Sequence, residues 1–585
     1  MIKICNMCGA DIKPGADKCS CCGCYVVDVA VERKQLFANY NPPHKSSNTN
    51  SYYGAAPASV TPAAPAASAA HTNFAAFGKN TGYNIFADAN WQTVWSEKRA
   101  RVYRLGIVLT NTSDLADKDP FMQSLNSYLA YKASIGVEYY ILDLKDQRVR
   151  SLYALDIDNT TAILNDIYDV AVPDYLMIVG DSTVVPNADW DNPCDMDETV
   201  PSDLPYLTLD TMSPWEGAIY GFENITQVGR IPAKTSDDFA TAIKYFDNTK
   251  RFTGYGSARS FALSARVWED TSRAEFAHLN PYLITSPEYT CNAELVEMDY
   301  DKELVLLGKL SGEYNLLCFN LHGSDEDHTW LGQRDFFFYP EAFEKSMLPD
   351  SDGYMLLTEA CYGARPLANA SIVVNALKNN CVAFVGSSRI AYGYGDGNLC
   401  CADVVAYNFT KGVAEGKTAG RAFLSALNAL ATPWIDEEEI KTMAEFALYG
   451  DPSITLIAGS GQKAAQKAAP AKRSVTTKDS SRGIKLMSCD EETGGRGAKG
   501  GLTMLSCSPE EQAHLKKMAS VVSKSGNDYI LQKFSAMGTV KPKVYKVMGK
   551  DEYRAVYTRT EGKVKTIVKM HLDGEGNVKK VYNSK

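Results

Sequence analysis

The sequence predicts an α/β fold with mainly parallel sheets covered by helices, preceded by a small cysteine module and followed by a small α+β module. Three observations predict it. Strand-length apolar runs alternate with longer amphipathic segments through the middle of the chain; six of the 15 cysteines fall within the first 24 residues; and two low-complexity stretches separate these regions. Of the 585 residues, 45% are hydrophobic and 10% aromatic, enough to build an enzyme-sized core.

The first element, residues 1–25, carries Cys5-x-x-Cys8 and Cys19-x-x-Cys22, each pair followed at once by glycine (Gly9, Gly23). Two such turns place four thiolates tetrahedrally around one zinc ion at about 2.3 Å each, so this element resembles a zinc ribbon. Cys21 and Cys24 leave open which cysteines of the second turn are used. A closed four-sulfur site has no position for substrate, so a structural zinc in an element that is structural or recruits a partner, not a catalytic one, is expected. Residues 26–83, rich in Ala, Pro, Ser and Asn, lack any periodicity and read as a tether.

Residues 84–458 are the body. VYRLGIVLT, VEYYILDL, DYLMIVGD, SFALSARVW, YNLLCFNLHG, GYMLLTEAC and CVAFVGSS are strand candidates, most closing on or beside Gly, Asp or Ser. Helix candidates such as DPFMQSLNSYLAYKASIG and SDDFATAIKYFDNTKRF lie between several of them. The length suits two α/β units, 84–255 and 256–458. Residues 459–501 are a second, basic linker. Residues 502–585 begin with a capping box, Ser508-Pro509-Glu510-Glu511, and continue into alternating strands: VYKVM, YRAVYT, KTIVKMHLD and, after a GEGN turn, VKKVY. One helix on a small antiparallel sheet resembles cystatin-like or PepSY-like modules in element order.

The net charge of −10 hides an asymmetry. Residues 461–585 hold 25 Lys and Arg against 12 Asp and Glu, a balance of +13, whereas residues 1–460 hold 35 against 58, a balance of −23. A basic tail following an acidic body predicts an intramolecular attraction. The overall negative charge and the lack of base-stacking motifs argue against nucleic acid as a partner. No stretch reaches the roughly 18 apolar residues of a spanning helix, and the start lacks a signal peptide's apolar middle, so a cytoplasmic protein without membrane contact is expected.

One pair of residues carries chemistry. The run YNLLCFNLHG delivers His322-Gly323, and the next apolar run, LLTEACYGARP, delivers Cys361 39 residues after the histidine. In a parallel sheet joined by one crossover these two strand ends share the carboxyl edge, where catalytic groups of open α/β sheets sit. Taken singly, Cys361 reads as a buried strand cysteine and His322 as a strand-end histidine. Glu359, two residues before the cysteine, has no role on this reading.

The His-Gly and Ala-Cys pairing is that of caspase-like cysteine peptidases, and further stretches resemble the gingipain family more narrowly. These are YLMIVGDSTVVPN, SDLPYLTLD, ITQVGRIPAKTSDDFATAIKYF, VAFVGSSRIAYGYG and FALYGDPSITL, in that order over residues 100 to 456. The resemblance implies two caspase-like subdomains, with Cys361 as nucleophile, His322 as proton-transfer partner and the Gly323 N–H in an oxyanion hole. It also implies an acid near Glu269-Asp270 that orients the histidine and another that binds a basic side chain, with Tyr392 and Tyr394 as pocket walls. Protein or peptide substrates cut after Arg or Lys follow. Arg473, Arg482 and Arg496 in the second linker then become candidate autoprocessing sites, and acidic loops such as Ser324–His328 are of a kind that holds calcium. The alternative is a non-enzymatic zinc-ribbon scaffold built on a peptidase-like body.

Overall fold

A computed structural model describes residues 3–4, 11–12 and most of 85–585; the longer stretches outside it are 147–154, 216–224, 287–313, 459–485, 489–504 and 507–539. The candidate zinc ligands Cys5, Cys8, Cys19 and Cys22, the three linker arginines and the helix expected after Ser508 lie outside the described residues. Next to the first cysteine pair, Lys3–Ile4 pairs antiparallel with Asp11–Ile12.

The strands, in chain order, are β1 (Arg104–Thr110), β2 (Val137–Asp143), β3 (Tyr175–Val179), β4 (Gln227–Ile231), β5 (Ser260–Ala265), β6 (Tyr282–Ser286), β7 (Leu316–Asn320), β8 (Tyr354–Thr358), β9 (Cys381–Ser387), β10 (Tyr392–Gly393) and β11 (Phe446–Gly450). They continue with β12 (Lys543–Val547), β13 (Glu552–Glu561), β14 (Val564–Asp573) and β15 (Val578–Ser584). The helices used below are α1 (Trp91–Arg101), α2 (Asp119–Ser134), α3 (Ile157–Val170), α4 (Ala240–Thr249), α5 (Glu269–Phe276), α6 (Ile372–Lys378), α7 (Cys401–Ala414), α8 (Ala419–Leu430) and α9 (Glu437–Glu445).

Ten strands form one sheet in the order β6-β5-β7-β8-β9-β11-β4-β3-β1-β2. Its inner strands are apolar on both faces, as a parallel sheet covered by two helix layers requires. One group of helices is α2, α4 and α6, and a second is α5, α7, α8 and α9. Both halves of the body contribute to this single sheet, and β11 joins them: it runs antiparallel to β9 and parallel to β4. The two halves therefore point their carboxyl edges in opposite directions, so only the strand ends of the second half converge on the Cys361 edge.

The motifs of the first half serve the fold. Arg230 on β4 is buried; its guanidinium pairs with Asp203 at 2.6 Å and donates to the carbonyls of Gly180 and Val185 at 2.7 and 3.0 Å. One fork thus ties together the VGRIP, SDLPY and VGDSTVVP stretches. Asp451 of the GDPS stretch is fully buried, accepts from Tyr128 and Tyr139 Oη at 2.6 Å each, and pairs with Lys132 at 2.9 Å. Burial works to raise the Asp451 carboxyl, but Lys132 and the two tyrosines outweigh it and hold it ionised below the usual range.

The C-terminal strands form a second, antiparallel sheet, β15-β14-β13-β12, extended by Leu486–Ser488 and Leu505–Ser506. Its other edge is completed by β10, which belongs to the body. Buried ion pairs hold the sheet to α9: Arg554 to Glu437 at 2.7 Å, and Lys569 to Glu438 at 2.6 Å and Glu437 at 3.4 Å.

Candidate active site

β7 and β8 are parallel neighbours in register Leu316↔Met355 through Phe319↔Thr358, so the chain delivers His322 and Cys361 side by side. Gly323 explains how close the two ends come: a Cβ there would collide with the Cys361 carbonyl and amide. Only glycine lets that backbone pass. After the cysteine, Tyr362 sits in the left-handed region (φ 56°), a conformation that costs about 1–3 kcal/mol. It is held there by its N–H to the Arg389 carbonyl (2.8 Å) and its Oη to Asp197 (2.5 Å), which in turn pairs with buried Lys441 at 2.8 Å. This sharp turn points Cys361 off the end of β8.

His322 is buried between the rings of Trp268 (centroids 4.3 Å) and Tyr339 (5.3 Å), with Nε2 2.6 Å from Gln333 Oε1. The orienting group is thus an amide. Burial pulls the ring's pKa down to about 4, outweighing support from Gln333 and the Lys585 main chain, so His322 is neutral at pH 7. Burial likewise pushes the Cys361 thiol up.

Lys585 lies against both residues. Its carbonyl oxygen lies against Cys361 Sγ, and its N–H donates to the Ala391 carbonyl at 2.9 Å. β15 leads into it as an antiparallel partner of β10, in register Tyr392↔Ser584 and Gly393↔Asn583. The Lys585 side chain runs into a fully buried pocket. Nζ is 2.8 Å from Asp403 Oδ1, 3.1 Å from Asn320 Oδ1 and 3.6 Å from Glu359 Oε2, and sits 4.5 Å above the Trp268 ring. Glu275 completes the cluster; one carboxylate oxygen from each of Glu275, Glu359 and Asp403 lies within 4.8 Å of the others. Asn320 Nδ2 donates to Glu275 Oε1 at 3.3 Å, and Asp403 Oδ2 accepts from the amides of Tyr394 (2.8 Å) and Cys400 (3.1 Å). Gly393 makes room for the guest, since a Cβ there would strike Lys585 Cε and Asp403.

One ammonium faces three carboxylates. Burial, then the charge of Asp403, raise Glu275 to about 8, and burial with the Glu275 charge raise Glu359 well above its ordinary value, so the pocket holds protons at pH 7.

The remaining sequence-predicted residues are placed as follows. Tyr392 is buried, supplies main chain to β15 and donates its Oη to Asp195 at 2.8 Å. Tyr394 stacks on Tyr582 at 5.8 Å with 17° between the rings. Glu269 pairs with Arg273 in the first turn of α5, and Asp270 beside it is exposed; the acid that α5 sends to the pocket is Glu275, on its buried side. Glu275, Asn320, Asp403 and Lys585 were not singled out by sequence; Glu359 was named there, at the end of the apolar run before Cys361, and left without a role.

A model of peptidase family C25 matches residues 107–457, which is more than half of the chain and spans both halves of the body. No curated protein matches it.

Proposed function

Starting from the membership of this chain in peptidase family C25, a family of cysteine peptidases that act on proteins, we propose that it is an endopeptidase that cuts after lysine, with Cys361 and His322 as its dyad. The observation that carries this reading is the seat of Lys585, whose carbonyl lies on the Cys361 sulfur while its ammonium is ringed by Asp403, Asn320 and Glu359. A bound P1 lysine would place its side chain in this way, with its carbonyl turned so that the carbon faces the sulfur and the oxygen faces the Gly323 and Cys361 amides. The nitrogen donates to Asn320 and is ion-paired with Asp403 at 2.8 Å and Glu359 at 3.6 Å, a compact seat that suits the point charge of an ammonium, whereas the planar fork of arginine prefers a paired, coplanar arrangement.

In the reaction, Cys361 as thiolate attacks the carbonyl carbon of a P1 lysine, forming a C–S bond as the carbonyl becomes an oxyanion. The amide N–H groups of Gly323 and Cys361, neither of which donates to a backbone carbonyl among the described residues, would hold that oxygen. Gln333 accepts from Nε2–H, which leaves Nδ1 of His322 to take the thiol proton and pass it to the leaving amine as the C–N bond breaks. Water then hydrolyses the thioester and restores the thiol.

The reading is tested by mass spectrometry of adducts with electrophilic peptides bearing Lys, Arg or Glu at P1, on the full chain and on Lys585→Glu, where the resident lysine is gone. The expected adduct is strongest with Lys and vanishes in Cys361→Ala; absence of any adduct in both proteins would sink the proposal. We further propose that Cys5, Cys8, Cys19 and Cys22 hold one structural zinc ion that takes no part in this chemistry. Zinc content should fall in Cys5→Ser while cleavage of lysyl peptides stays unchanged.

A further inference from the structure

The strand in the cleft belongs to the chain itself, and it runs in the sense of a substrate. β15 adds to β10 by main-chain hydrogen bonding, brings Lys585 to the dyad carbonyl-first, and fills the pocket with its side chain. Building on the peptidase reading above, we infer that Tyr582–Lys585 is an intramolecular substrate mimic: it keeps the enzyme latent, and its seat identifies the substrate class as Tyr-x-x-Lys.

Latency follows from tethering. A peptide joined to its own site by a folded sheet competes at an effective concentration of order millimolar, so even modest affinity keeps the cleft filled. The tether here is held by more than the strand itself. Arg554, Lys569 and Lys580 pair with Glu437, Glu438 and Asp436 at the start of α9, and Lys569 Nζ also donates to the Cys194 carbonyl at 3.0 Å.

The substrate class follows from which side chains of the mimic the body itself reads. Lys585 is read by the carboxylate pocket. Tyr582, three residues earlier, lies flat on the Tyr394 ring and donates its Oη to Asp436 at 2.8 Å, so Tyr394 and Asp436 form a P4 site for an aromatic hydroxyl. Asn583 and Ser584 pair with Gly393 and Tyr392 through main chain; the Ser584 side chain turns back to the amide of Ile567 in its own sheet, and the buried Asn583 side-chain amide makes no hydrogen bond among the described residues. The body therefore reads neither central side chain by a hydrogen bond.

The test uses a Tyr-Asn-Ser-Lys reporter with a fluorogenic leaving amine and three proteins: the full chain, the full chain with Lys585→Glu, and a chain lacking residues 578–585. Lys585→Glu keeps β15 but brings a fourth carboxyl group to the pocket, so it releases the cleft without removing the strand. Both altered proteins should turn over at least ~10-fold faster than the full chain, and the free peptide 578–585 should inhibit the shortened one competitively. Replacing the reporter's Tyr by Ala should raise KM at least ~10-fold, with replacement of Asn nearly neutral. Equal turnover by all three proteins would overturn latency, and an unchanged KM without the Tyr would overturn the P4 site, while Cys361-dependent cleavage would leave the peptidase reading standing. Turnover that persists in the released protein with Cys361→Ala would instead overturn the peptidase reading and this inference with it.

Discussion

Two buried acidic clusters, both neutralised by cations of the C-terminal sheet, behave in opposite ways. At the start of α9, Glu437 and Glu438 face Arg554, Lys569 and His571. Burial works to raise both carboxyls, but the Lys569 charge, helped by His571 and, for Glu437, Arg554, outweighs it and holds them below the ordinary range. In the pocket, Glu275, Glu359 and Asp403 face one cation among the described residues, Lys585, and two of the three are raised. The first cluster is matched in charge and reads as a permanent joint. The second is short of positive charge and keeps itself neutral with protons, which suits a site that must exist both with and without its lysine.

The sharpest way to break this contrast is Glu437→Gln. Removing one partner of a buried ion pair leaves the other charge uncompensated and costs about 3–5 kcal/mol, so the C-terminal sheet should loosen from α9. Hydrogen exchange in β13 and β14 should rise, and cleavage of lysyl reporters should increase as the mimic leaves. The next largest effect runs the other way. Asp403→Asn retains an acceptor for the Tyr394 and Cys400 amides but removes the carboxylate nearest the lysine, and a charge-assisted hydrogen bond of this kind contributes about 1.5–3 kcal/mol. In the chain lacking residues 578–585, kcat/KM for lysyl reporters should fall roughly tenfold to a hundredfold. The same assay thus moves up for one cluster and down for the other.

Acid should separate the clusters more gently. The lowered Glu437 and Glu438 contribute stability that is present above the free carboxylate range near ~4.3 and is lost as pH falls through it. His322, neutral while covered and with its pKa lowered to about 4, binds fewer protons than an uncovered histidine between ~6.5 and that value, so covering it becomes less favourable as pH drops. Glu275, raised to about 8, works the other way: between ~4.3 and that value it holds a proton that a free carboxyl would not, so its contribution grows as pH falls. The histidine part is isolated by comparison: as pH falls from 7 to 5, exchange in β14 and β15, corrected for intrinsic rate, should shift toward faster exchange in the native chain relative to His322→Ala.

The sequence made the meeting of His322 and Cys361 legible because parallel strands obey a strong topological rule: two successive apolar runs joined by one crossover end at the same edge. The pocket obeys no such local rule. Glu275 comes from α5, Glu359 from the end of β8 and Asp403 from the first turn of α7. The acidic pair at Glu269-Asp270 drew attention because it follows a strand, yet one helical face further on the same helix turns Glu275 inward. The charge imbalance between tail and body carries a sign but no addresses: Arg554, Lys569 and Lys580 go to the start of α9, and Lys585, 224 residues from the cysteine it touches, goes to the pocket.

Glu275→Gln is the smallest effect and the most diagnostic. A carboxyl group in this position looks like a charge that must be there to bind lysine, and on that view its amide variant should weaken cleavage as much as Asp403→Asn does. If Glu275 holds a proton at pH 7, glutamine replaces one neutral group by another of the same shape, keeping an oxygen for the Asn320 amide. The change in kcat/KM for lysyl reporters should then stay within about threefold at pH 7, well under 1 kcal/mol. Above pH 8 the variants should part, because only the native glutamate can ionise and add a second charge facing the ammonium. A tenfold loss at pH 7 would show that Glu275 is already ionised, and the contrast between a matched joint and an under-filled pocket would fail.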